Sequence, residues 1–109
     1  MPREALLAGA EYILRLRRSR ERLLGRAING EPAFDLLLCL YLRVGQRETS
    51  LTSLTKPTGI PYSSAIRWLA YLADKGLITL KESATDRRAT CVQLTPSGRA
   101  VMDELLSIR

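Results

Sequence analysis

Histidine is absent from the 109 residues. Its absence removes His-ligated zinc, Ser-His and Cys-His catalysis, and an imidazole proton switch. Cysteine is scarce. Cys39 and Cys91 are too few for a disulfide scaffold or an all-cysteine metal site. No long hydrophobic run occurs: Leu36-Leu37-Leu38-Cys39-Leu40-Tyr41-Leu42 falls far short of the ~20 residues of a membrane span. Glu4, Glu11 and Arg15 interrupt the start, so it does not read as a secretory signal. There is no internal repeat, low-complexity stretch or glycine-rich phosphate loop. These absences leave an enzyme no chemistry to perform, and they predict a soluble, cytoplasmic chain with reduced thiols, no metal and no cofactor.

What is present is basic charge on a globular composition. Lys plus Arg is 17 against 11 for Asp plus Glu, a net charge of +6, and 46% of the residues are hydrophobic. One domain's worth of core can form. A sequence pI near 9.9 exceeds the level of about 9 that marks a nucleic-acid footprint.

Periodicity predicts a mainly helical chain with one small β-hairpin. A first helix covers Pro2 to about Leu24, with Leu6, Ala10, Ile13, Leu14 and Arg17 on one face and arginines crowding Arg15 to Arg22. So charged a helix needs a partner. Gly25 and Asn29-Gly30 break it. A second helix from Pro32 to Val44 is apolar on nearly all sides, which predicts burial from several directions, and Gly45 fits its stop. A short helix follows from Thr49 to Lys56, with Thr49 or Ser50 as N-cap. Pro57 is expected to shorten it or distort its last turn. The next helix runs from Tyr62 to Lys75, its apolar positions Ala65, Ile66, Leu69, Leu72 and Ala73, and Gly76 ends it. Leu77 to Leu80 and Thr90 to Leu94 read as strands joined by a polar loop. Thr95 as N-cap and Pro96 at the first position open a last helix.

Short helix, tight turn, longer helix and hairpin is the order of a winged helix-turn-helix. Leu72-Ala73-Asp74-Lys75-Gly76-Leu77-Ile78 resembles the L-x-x-K-G-L-I end of the recognition helix in the MarR family. Thr85-Asp86-Arg87-Arg88-Ala89 resembles that family's D-R-R wing, and Leu94-Thr95-Pro96-Ser97-Gly98 its L-T-x-x-G entry to the following helix. The three occur in the family's order and spacing and cover about residues 31–108. The resemblance implies a sequence-specific, double-stranded-DNA-binding transcriptional regulator, a repressor acting as a homodimer and associated with the nucleoid. Residues 1–30 would be a dimerisation or partner arm, and residues 31–109 the winged helix-turn-helix. Family members carry a long C-terminal dimerisation helix, so pairing here is expected to use the N-terminal helix and a short C-terminal one.

The resemblance also implies that Arg88 enters the minor groove with Asp86 holding its guanidinium. A narrow groove's negative potential favours arginine there. Arg87 is then a phosphate contact. Tyr62, Ser63, Ser64 and Arg67, on the first half of the recognition helix, are candidates for bases or phosphates, although Ser63 or Ser64 could equally be helix caps. Thr52 and Lys56 are candidate phosphate contacts. Trp68 and Tyr71 read as packing, and Cys39 as an inert small hydrophobe rather than a sensor thiol. The alternative function is a winged-helix protein-interaction module that recruits a partner through the basic N-terminal helix.

Overall fold

A computed structural model describes residues 2–26, 31–43, 49–86 and 88–107. The order is α1 (Arg3–Leu24), α2 (Glu31–Leu42), α3 (Leu51–Thr55), a 3₁₀ turn (Lys56–Thr58), α4 (Tyr62–Asp74), β1 (Ile78–Glu82), β2 (Thr90–Leu94) and α5 (Pro96–Leu106).

The core gathers around α2. Leu36 and Leu37 are fully buried with Leu54 of α3, Leu69 and Leu72 of α4, Ile78 and Val92 of the hairpin, and Met102 and Leu105 of α5. The continuous apolar run of α2 is therefore used on several sides: it touches α3, α4, α5 and β2. Leu42, at the helix's last position, is the exception and stands 81% exposed. The Tyr41 hydroxyl donates to Asp103 Oδ1 at 2.6 Å and ties α2 to α5. The predicted end at Val44 and Gly45 lies outside the described residues.

Helix α1 is docked at one end only. Leu24 is buried, Leu16 and Leu23 are half-buried against the core, and α1 contacts α5. Its first half stands clear, with Leu6 58% exposed and Leu7, Ile13 and Leu14 each about half exposed. This free half helps to stretch the molecule to 53 Å along its long axis against 27 and 26 Å across. The predicted stripe on α1 is thus present, but Leu6, Ile13 and Leu14 do not reach the core. Arg20 leaves the arginine cluster altogether: it is buried, its guanidinium 4.6 Å from the centre of the Phe34 ring.

Local chemistry fixes the element ends. Ser50 Oγ accepts the Ser53 N–H at 3.1 Å and caps α3. Proline has no N–H to continue an α-helical ladder, so α3 is only five residues long and Pro57 sits in the 3₁₀ turn that follows. Gly59, at φ 69°, turns the chain toward α4. At the far end of α4 the Leu77 N–H reaches the Leu72 carbonyl and the Gly76 N–H reaches that of Ala73. Gly76 adopts φ 75°. This is a Schellman ending, and it explains why lysine, glycine and leucine follow one another there. Leu77 belongs to that turn, so β1 begins one residue later than the strand-former pattern predicts and extends to Glu82.

β1 and β2 pair antiparallel, with Ile78 opposite Leu94, Leu80 opposite Val92 and Glu82 opposite Thr90. Thr49 and Ser50 add a short third edge: the Val92 N–H donates to the Thr49 carbonyl at 2.8 Å, and Ser50 bridges Cys91.

Candidate nucleic-acid interface

Helix α4 buries Ala65, Leu69 and Leu72 and turns its other side to solvent. Tyr62, Ser63 and Arg67 are exposed, and Ser64 is half-buried. Pro61 is the N-cap and no side chain caps the helix. Ser63 and Ser64 lie inside the first turn, so neither is the cap that the sequence allowed. Ile66, predicted on the apolar face, is 42% exposed on the outward side. The 3.6-residue period places it only at the margin of the face that carries Ala65, Leu69 and Leu72. Ile66 is the residue of this surface that sequence reasoning missed. An apolar side chain beside polar ones at i−3 and i+1 was the available signal.

Trp68 is half-buried against the core, and Tyr71 meets it edge-on, ring centroids 6.3 Å apart. Lys75 lies 5.7 Å from the centre of the Tyr71 ring. Trp68 is a packing group, as expected, whereas Tyr71 touches it at the edge but is 41% exposed. Thr52 on α3 and Lys56 on the 3₁₀ turn are exposed. Arg43, just past the end of α2, braces that region, its Nη1 donating to the Ser53 carbonyl at 3.0 Å.

The loop between the strands is held from inside by Ser83, which is buried. Its Oγ accepts the N–H groups of Thr85 and Asp86, each at 3.2 Å. Asp86 does meet Arg88, through the main chain: its Oδ1 accepts the Arg88 N–H at 3.0 Å. Asp86 therefore shapes the turn that presents Arg88, and the Arg88 side chain is exposed. Arg87 lies outside the described residues. Lys56, Arg67 and Arg88 are exposed cations on the segments that precede, form and follow α4.

The sulfur chemistry is separate from this surface. Burial pushes the Cys39 thiol above its ordinary pKa, outweighing the nearby Arg43 charge. A raised pKa means less thiolate at neutral pH, the opposite of what a reactive cysteine needs. Among the described residues no group of three or more Cys, Asp or Glu side chains is placed to hold a metal ion, and no helix is long and apolar enough to cross a membrane.

Known proteins share this fold. The chain is 35% identical over 57 residues to the HTH-type transcriptional regulator Hpr of Exiguobacterium sibiricum, a match covering 52% of this chain and only 30% of that regulator. In three dimensions it resembles the S. aureus MepR–DNA complex, with a TM-score of 0.76, 21% identity, and 95% of this chain and 82% of that one covered. Wild-type MarR from E. coli in its apo form superposes with a TM-score of 0.67 and 18% identity, covering 99% and 76% of the two chains. At such identities the likeness is one of fold, and it spans α1 as well as the wing. Residues 35–98, from α2 into the first turn of α5, match the winged helix DNA-binding domain, and this chain belongs to that family.

Proposed function

We propose that the chain is a MarR-type transcriptional regulator that binds a specific duplex sequence as a homodimer and represses by occupying it. The observation that carries this reading is the solvent-facing side of α4, where Ser63 and Arg67 are exposed, accompanied by Arg88 on the wing. A major groove of about 12 Å admits a helix, and an arginine beside it suits a narrow minor groove. Thr52 and Lys56 would add phosphate contacts, and so would Arg87. Cationic contacts of this kind release counterions, so affinity should fall steeply with salt. The MepR relative solved with DNA supports the same placement. The exposed Leu6, Leu7, Ile13 and Leu14 support pairing through residues 1–30. Two-fold pairing predicts half-sites about 10–10.5 bp apart, or a multiple of that spacing. A cytoplasmic, nucleoid-associated location follows from this role.

In-vitro selection from random duplexes with the purified protein tests the reading. An enriched two-fold motif with a steep negative salt slope supports it. Folded protein that binds no duplex at low salt overturns it. The alternative would then be an interaction module that uses the exposed Arg15, Arg17, Arg18 and Arg22 of α1 toward an acidic protein.

A further inference from the structure

The outward side of α4 carries two parallel rows at four-residue spacing. Ser63 and Arg67 form a polar row, and Tyr62, Ile66 and Ala70 an apolar one beside it. All five are exposed. The core has no use for the apolar row, because Ala65, Leu69 and Leu72 already supply the buried face. Ala70 adds only a methyl group, so a second surface can come close to the helix one turn beyond Ile66. The row is one residue wide, is bordered by Ser63 and Arg67 and ends at Asp74 on the last position of the helix, with Lys56 and Arg88 on neighbouring elements. Such a narrow apolar line in basic surroundings suits a polyanion with an isolated apolar group better than an apolar protein face.

The floor of a major groove offers one such group, the C5-methyl of thymine. Resting on the DNA-binding reading above, we propose that Ile66 packs against the C5-methyl group of a thymine in each half-site and thereby selects thymine over cytosine there. Arg67, one residue on, then faces the adjacent base or phosphate. Ile66 is a specificity residue in this scheme, and the cations supply most of the affinity.

The test uses the duplex enriched by selection with the wild-type protein, remade with deoxyuridine at one thymine position at a time. That exchange removes the methyl group and leaves every hydrogen-bonding group in place. One position per half-site is expected to bind about four-fold more weakly as uracil, the worth of one buried carbon. Ile66→Ala, checked for an unchanged thermal midpoint, is expected to bind the thymine and uracil duplexes equally, and Ile66→Val to keep part of the difference. The quantity read is the thymine-to-uracil ratio, which a general loss of affinity does not mimic. Uracil tolerated at every position, or an unchanged ratio in Ile66→Ala, overturns the proposal while the DNA-binding reading stands. Folded wild-type protein that enriches no duplex overturns both.

Discussion

The Thr95 hydroxyl donates to the Gly76 carbonyl, nineteen residues earlier, at 2.6 Å. The same oxygen accepts the Gly98 N–H at 2.9 Å, and the Thr95 N–H reaches the Leu77 carbonyl at 3.0 Å. One residue thus closes the hairpin at its root and caps α5. Thr95→Val, which keeps the shape and removes the hydroxyl, should cost about 1–2 kcal/mol in urea unfolding. Thr95→Ser should retain most of that. Equal stability of the valine variant and the wild type would show that the cap contributes nothing.

Gly76 and Gly98 are both glycine for different reasons, and substitution should separate them. Gly76 has φ 75° and open space where a Cβ would go. Alanine there is strained by about 1–2 kcal/mol, and asparagine, which tolerates the left-handed region, by less. Gly98 is helical and buried, and a Cβ there would run into the Leu77 carbonyl. Gly98→Ala should therefore cost about 1–3 kcal/mol or more, with no relief from asparagine. Thermal unfolding of the four variants checks the pattern.

Arg88→Ala should leave the unfolding midpoint unchanged, because the side chain is exposed. Duplex binding should weaken by about 1–3 kcal/mol, and the slope of log affinity against log salt should shrink by about 1. Asp86→Ala should weaken binding less, since it loosens the turn around the Arg88 N–H without removing a cation. Fluorescence anisotropy over a salt series distinguishes the two. Full affinity in a folded Arg88→Ala protein would exclude the minor-groove role.

Most of the fold could be read from the sequence, because the element ends carry local signals. Ser50, Gly76 and Pro96 act within a few residues of themselves, as does Thr95 in capping α5, and each sits where its chemistry predicts. Pro57 disturbs its helix for the same reason. Burial was less legible. Periodicity reports that a residue is apolar at a given angle, but not what lies opposite. Ile66 was therefore placed on a core face that ends before reaching it, Leu42 closes a helix expected to be buried from several sides yet stands in water, and Arg20, counted with the arginine run, is buried beside Phe34. Ser83, the organiser of the wing turn, gave no advance signal. A serine after a strand is commonplace, and its two acceptor contacts depend on how the loop folds back.

Stability should decline at alkaline pH through Tyr41. Its hydrogen bond to the Asp103 carboxylate, reinforced by burial and by that carboxylate's charge, raises the phenol above its ordinary value of 10.0. A raised folded-state pKa gives stability that is fully present below the unfolded value and is lost as pH climbs through the folded one. Tyr41→Phe should be less stable at about pH 8 and should lose less on going to about pH 11. Urea midpoints across that range, compared between the two proteins, check the sign.

Charge placed on the free half of α1 should act on assembly and not on folding. Leu6→Glu and Leu14→Glu replace side chains that are already at least half in water. Each should shift the proposed dimer toward monomer in sedimentation and change the unfolding midpoint of dilute protein little. A monomeric wild type would remove the premise.

The one-ended docking of α1 makes it a lever. Leu6 lies about 21 Å along the helix from Arg20, the point where the rod is gripped beside Phe34. In a dimer joined at the free ends, a tilt of about 10° at the grip moves the tip by about 4 Å, close to one base-pair step. Substitutions around Arg20 and Phe34 would then alter the distance between the two reading heads. They would change which spacing of half-sites is preferred while every base contact stayed the same.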